Sequence, residues 1–166
     1  MKSLIVYSSK TGNTKAVAHA IHEVIPQPCD IFPVKECPDT SDYDFIIIGY
    51  WVDKGQPDKK ALDLMKTIKG KKTALFGTLG AYPDSEHGKD CMSKAEKYME
   101  GNEFLGQFIC QGKIDPEILK VMAKMRDNNH PMTEERKARI EEAKKHPNEE
   151  DFKNAREAFL KIVEKI

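Results

Sequence analysis

The sequence predicts a parallel α/β sheet with helices on both faces, and three observations carry that prediction. Short apolar runs recur at Leu4–Tyr7, Phe45–Ile48 and Thr73–Phe76. Each run is unbroken rather than alternating, as a strand covered on both faces requires. Between the runs, apolar residues such as Val17, Ile21 and Val24 fall at helical spacing. Alternating strands and helices give a doubly wound arrangement, and ligands in such folds lie outside the carboxyl ends of the strands.

Taken in order, the first helix should start after Thr14 and end near Ile25, because Pro26 and Pro28 cannot continue it. Cys29–Val34 reads as a second strand. Pro33 places it at the sheet edge, since a central strand would need the missing N–H. Phe45–Gly49 is the third strand and the most apolar stretch of the chain, and 49–56 reads as a loop. A helix should start around Pro57, bury Ala61, Leu62, Met65 and Ile68, and stop at Gly70. Thr73–Phe76 is the fourth strand, followed by a long loop from Gly77 to Gly88.

The next helix should run from Lys89 to Met99 with Met92, Ala95 and Met99 inward. Phe104–Cys110 is a fifth strand, interrupted at Gly106. Pro116–Met125, with Asp115 as cap, and Thr133–Lys145 both read as helices, the second almost without an apolar face. Asn148 caps a final amphipathic helix carrying Phe152, Ala155, Phe159, Ile162 and Ile166 in register.

Length and composition bound the function. At 166 residues the chain is expected to form one domain with a real core. Lys and Arg number 27 against 27 Asp and Glu, a balance that argues against nucleic acid as the principal partner. No apolar run approaches the ~18 residues of a membrane span, and the chain opens on a strand rather than a signal peptide, so a cytoplasmic protein is expected. Cys29, Cys37, Cys91 and Cys110 are scattered without a Cys-x-x-Cys and read as free thiols. His19 and His22 read as surface residues, and no metal site is expected.

The stretch that points to chemistry joins the first strand to the first helix. Ser8, Ser9, Thr11 and Thr14 supply hydroxyls, and Gly12 and Asn13 tolerate left-handed backbone. A helix start offers free N–H groups and partial positive charge, so the loop is a phosphate cradle to which Lys10 adds an ammonium. The same residues also suit an ordinary capped turn. Neither Gly-x4-Gly-Lys-Ser/Thr nor G-x-G-x-x-G follows this strand, which disfavours a nucleoside triphosphate or a dinucleotide.

With Thr11-Gly12-Asn13-Thr14 behind an apolar strand, the sequence resembles the flavodoxin family. The resemblance implies a five-stranded parallel sheet of order 2-1-3-4-5 and flavin mononucleotide (FMN) as cofactor. It implies that Ser9, Lys10, Thr11, Gly12, Asn13 and Thr14 hold the phosphate. Trp51 and Tyr82, with Tyr50, are the aromatics available to the flavin ring. Backbone groups of Asp53, Lys54 and Gly55 would meet the N5 edge, with Gly55 able to flip its peptide, and Thr78, Leu79 and Gly80 would line the pyrimidine edge. No residue is implied as catalytic.

Three departures stand out. Trp51 comes only two residues after Gly49, earlier than the family's usual stacking aromatic. The chain is neutral where typical members are acidic, and Lys54, Lys59 and Lys60 should ease reduction to an anionic flavin. The helical segment 114–145 is an addition, either partner-facing or mere cover. The phrases Gly49–Gly55 and Phe76–His87 are similar to a branch from anaerobes associated with bilirubin reduction.

The implied function is an electron carrier between a reductase and an acceptor enzyme, possible acceptors including a bilirubin reductase. Two alternatives stand beside it. One is a flavin-dependent reductase of a quinone or tetrapyrrole, with Tyr82, Asp84 and His87 as substrate wall and His87 as proton donor. The other is a flavin-free accessory module for a reductase.

Overall fold

The structure, a computed structural model, describes residues 1–124 and 132–166. Its strands are β1 (Ser3–Tyr7), β2 (Cys29–Pro33), β3 (Phe45–Asp53), β4 (Gln56–Pro57), β5 (Lys72–Leu79) and β6 (Glu103–Gln111). Its helices are α1 (Asn13–His22), α2 (Lys59–Thr67), α3 (Glu86–Lys97), α4 (Pro116–Lys124), α5 (Glu134–Ala143) and α6 (Glu149–Val163). The parallel sheet has the order β2-β1-β3-β5-β6, with β4 antiparallel to the end of β3. Apart from β4, this is the predicted order, and Pro33 does sit on the edge strand.

Successive strand residues point to opposite faces, and the core divides accordingly. Ile5, Tyr7, Phe45 and Ile47 pack with Val17 and Ile21 of α1 and Phe159 and Ile162 of α6. Leu4, Val6, Ile46 and Ile48 pack on the other face with Leu62 and Met65 of α2 and Ala95 of α3. The Phe76 ring meets Phe159 edge-on, with centroids 6.3 Å apart.

The structure differs from the sequence reading where glycine and proline seemed to mark loops. β3 continues to Asp53, and a hairpin turns at Lys54 (φ 52°) and Gly55 (φ 80°) to pair Gln56 and Pro57 back onto it. Two adjacent positive-φ residues are what a two-residue hairpin turn needs. Pro57 therefore lies in β4, and α2 starts one residue after Asp58, whose carboxylate caps it. β5 likewise runs through Gly77 to Leu79. Gly77 is there because the Tyr50 ring lies against it, where a Cβ would stand 2.6 Å from Tyr50 Cε2.

α3 begins at Glu86 rather than Lys89, because the Ser85 hydroxyl accepts from Gly88 N at 3.1 Å and caps the helix. Cys91, Ala95 and the following Met99 are buried on its inner side, while Met92 is half-buried. β6 is not interrupted at Gly106; instead a register shift there makes a bulge, with Gly106 at φ 150°. α5 buries Ile140 and Ala143, more apolar contact than its sequence suggested. Met125, placed at the end of the preceding helix from sequence, lies outside the described residues. Cys29, Cys91 and Cys110 are buried free thiols and Cys37 is half-buried. Among the described residues no helix is long and apolar enough to cross a membrane.

His146 joins α5 to α6. Its Nδ1 lies 2.6 Å from Asp151 Oδ2 and its Nε2 3.1 Å from Glu142 Oε1, while its carbonyl accepts from Lys113 N at 2.9 Å. Burial disfavours the charged ring, but hydrogen bonds and charge from Asp151 and Glu142 outweigh it and raise the pKa. The imidazolium thus stabilises the fold fully below the ordinary histidine pKa, and that contribution is lost as pH rises through the higher folded value. Melting temperatures of the wild type and His146→Gln should differ most below pH ~6.5 and converge as pH climbs past it. A gap independent of pH would show that the ring acts by packing alone.

Candidate functional site

The site lies where β1, β3 and β5 end. Gly12, with φ 94° and ψ −6°, takes the left-handed conformation at the N-cap of α1. No side chain caps that helix, and its first turn carries no acidic residue. Its partial positive charge and leading N–H groups are therefore left to a ligand. The Gly12 N–H itself donates to Ser9 Oγ at 3.1 Å, which leaves the Ser9 proton available for donation.

The loop hydroxyls divide by burial. Ser8 faces inward: its N–H donates to Gly49 O at 2.9 Å and its hydroxyl to Asp58 Oδ2 at 2.5 Å. Thr14 is also buried and shares a 2.9 Å hydrogen bond with Thr78. Ser9 and Thr11 remain on the ligand side and line a cavity of about 40 Å³ with Lys10, Asn13, Thr14, Trp51, Thr78 and Asp115. The Lys10 ammonium lies 3.1 Å from Asp115 and 5.7 Å from the centroid of the Trp51 ring. The N–H of Glu117 and the Lys10 ammonium hold the Asp115 carboxyl below the usual carboxylate range.

Beside this cavity opens a cleft of about 440 Å³, within the range of small-ligand sites. Trp51, Asp53 and Lys54 form one wall; Thr78, Leu79 and Gly80 form a second. Asn13, Trp51, Thr78 and Asp115 border both spaces. The structure thus brings together most of the residues singled out from sequence; Gly12 lines neither space itself but caps α1 between Thr11 and Asn13. Three stand apart. Tyr50 is fully buried beneath Gly77, so its ring is core and not a cleft wall. Gly55 sits at the hairpin tip beside His87 and Lys94, and Tyr82 is exposed; neither lines the cleft. Of the three lysines expected near the flavin, Lys54 lines the cleft, whereas Lys59 pairs with Asp63 at 2.7 Å on α2.

Two contributions were missed. The third wall comes from Gly112, Ile114 and Asp115 with Ile118 and Met122 of α4. Asn13 Nδ2 donates to Lys113 O at 2.8 Å, and Gln111 Nε2 donates to Gly80 O at 3.1 Å, which hold this segment at the site. Ile114 packs so closely on Gly80 that a Cβ there would stand 2.7 Å from it. The second is Asp58, 2% exposed and bonded to Ser8, Trp51 and Ala61. Burial raises its pKa although each of those bonds lowers it. An aspartate directly before a helix is a capping signal, and that was the available clue. Among the described residues no cluster of His, Cys, Asp and Glu is set to hold a metal ion.

The flavodoxin domain model matches residues 4–160. The chain belongs to the flavodoxin family. It is 40% identical over 163 residues to the flavodoxin-like domain-containing protein BilS of Clostridioides difficile strain CD3, covering 93% of this chain and 92% of that protein. Among solved structures, the flavodoxin of Streptococcus pneumoniae TIGR4 superposes with a TM-score of 0.63 at 14% identity, over 100% of both chains. A Lactobacillus acidophilus flavoprotein in complex with FMN superposes with a TM-score of 0.52 at 23% identity, over 72% of this chain and 97% of that one. At such identities the structural likenesses establish the fold.

FMN is the cofactor of this family, and the donor set here fits it. The uncapped helix start and the Ser9 and Thr11 hydroxyls suit a phosphate dianion, while the Lys10 ammonium beside them is shared with the Asp115 carboxylate that lines the same cavity. The Trp51–Lys54 and Thr78–Gly80 walls suit a planar apolar ring with polar edges. Gly12→Ala should therefore weaken FMN binding by about tenfold while the protein stays folded, because an L side chain at φ 94° strains the cap by ~1–2 kcal/mol. Quenching of flavin fluorescence on titration reads this directly, and an unchanged Kd would remove Gly12 from the cradle.

Proposed function

We propose that this protein is an FMN-dependent electron carrier that passes electrons from a reductase to an acceptor enzyme. The observation that carries the reading is the pairing of an uncapped helix start with an adjoining cleft of ring-binding character. Flavin supplies the redox chemistry when bound, and the chain binds and orients it. In this reading Ser9 to Thr14 take the phosphate, Trp51, Asp53 and Lys54 take one side of the ring, and Thr78, Leu79 and Gly80 take another.

The ionisable groups on the cleft favour a carrier over a reductase. Lys10 and Asp115 pair with each other, and Asp53, Lys54 and Lys113 lie on the walls. The proposed acid of the reductase reading, His87, lies in the first turn of α3 instead, with Nε2 3.7 Å from Cys91 Sγ. Tyr82, its companion in that reading, also lies off the cleft. The likeness to BilS over nearly its whole length supports the branch associated with bilirubin reduction, and we take the acceptor to be a bilirubin-reducing enzyme.

Anaerobic potentiometry of the FMN-loaded protein should resolve two separate one-electron steps, and the protein alone should not oxidise NAD(P)H. A single two-electron step with NAD(P)H oxidation would instead support the reductase.

A further inference from the structure

We infer that Asp58 is a positioning residue that couples the phosphate loop to the ring-binding wall, so that filling one half of the site prepares the other. The inference rests on the FMN reading above and names the chain's own means of joining its two halves.

Capping α2 requires only one bond, from Ala61 N to Asp58 Oδ2 at 3.3 Å. Besides the helical bond from Leu62 N to its carbonyl, Asp58 makes three more. Its N–H donates to Trp51 O at 2.9 Å, its Oδ1 accepts from Trp51 N at 3.2 Å, and its Oδ2 accepts from Ser8 Oγ at 2.5 Å. Ser8 is the last residue before the phosphate loop, and Trp51 borders both the small cavity and the cleft. One buried carboxylate therefore ties down the root of the loop and the wall of the cleft together. The Ser8 N–H to Gly49 O bond fixes the loop root to β3, but reaches neither the ring wall nor α2.

The carboxylate is suited to this by its two acceptor oxygens. Asn offers a single acceptor, so an Asp58→Asn side chain that keeps the Ala61 cap and the Ser8 bond turns its amide nitrogen toward Trp51 N and loses the tie to the ring wall. Burial opposes the charged form of Asp58, and the bonds from Ser8, Trp51 and Ala61 are what partly offset that. A carboxylate present only to cap α2 would gain nothing from being sunk beneath the site.

The test separates the halves of the ligand. Riboflavin carries the ring without the phosphate, and inorganic phosphate carries the other half. In the full-length wild type, saturating phosphate should tighten riboflavin binding by roughly tenfold, a coupling of ordinary allosteric size. In Asp58→Asn and, independently, in Ser8→Ala, that factor should fall towards one. Loss of helix packing alone would weaken riboflavin with and without phosphate equally and leave the factor intact. A wild-type factor of one, or an undiminished factor in both variants, overturns the inference while FMN binding stands. Wild-type protein that binds neither FMN nor riboflavin overturns the cofactor reading and this inference with it.

Discussion

The rest of the site depends on an uncompensated charge: the N-terminus of α1 points its leading N–H groups at a loop that offers no side-chain cap and no carboxylate in the first turn. Other helices in this chain are closed by their own residues. Asp58 caps α2, Ser85 caps α3, Thr133 caps α5 and Asn148 caps α6. A helix start left open at the carboxyl end of a central strand is an anion site by construction. Gly12 makes this geometry possible, since its left-handed conformation turns the loop into the helix without a Cβ in the way.

The sheet converts that local feature into a binding site. β1 lies between β2 and β3, and the parallel register pairs Tyr7 with Gly49 and Gly49 with Phe76. β3 and β5 run on past this level to Asp53 and Leu79, so their extensions, with Trp51 and Thr78, border the loop that follows β1. Glycines let the layers close: Gly49 accepts the Phe76 ring and Gly77 accepts the Tyr50 ring, contacts that no Cβ would permit. The wall from Gly112 to Met122 then makes the space a cleft instead of an open edge.

Much of this was legible from sequence because it rests on short-range pattern. The apolar runs at Leu4–Tyr7 and Phe45–Ile48 identified central strands, and Pro33 identified the edge. The hydroxyl loop stood out because no hydrophobic pattern explained it. What stayed hidden depends on tertiary pairing. Gly49–Gln56 read as a loop and Pro57 as a helix start, since nothing local says that Gln56 and Pro57 will pair back onto β3. Tyr50 read as a ring-binding aromatic, yet strand alternation turned it into the core. The Ile114 segment reaches the cleft through long-range bonds from Asn13 and Gln111 that no sequence window contains. Asp58 was readable as a cap, but not as the partner of Ser8 fifty positions away.

The central claim is that the open start of α1 receives the cofactor's phosphate. Titrating FMN into ¹⁵N-labelled protein and following the amides of Asn13 and Thr14 tests it most directly. The account predicts that these amides shift strongly downfield, as N–H groups do on donating to a phosphate, and that riboflavin alone moves them far less. Equal responses to FMN and riboflavin, or shifts confined to residues outside this loop, would contradict it.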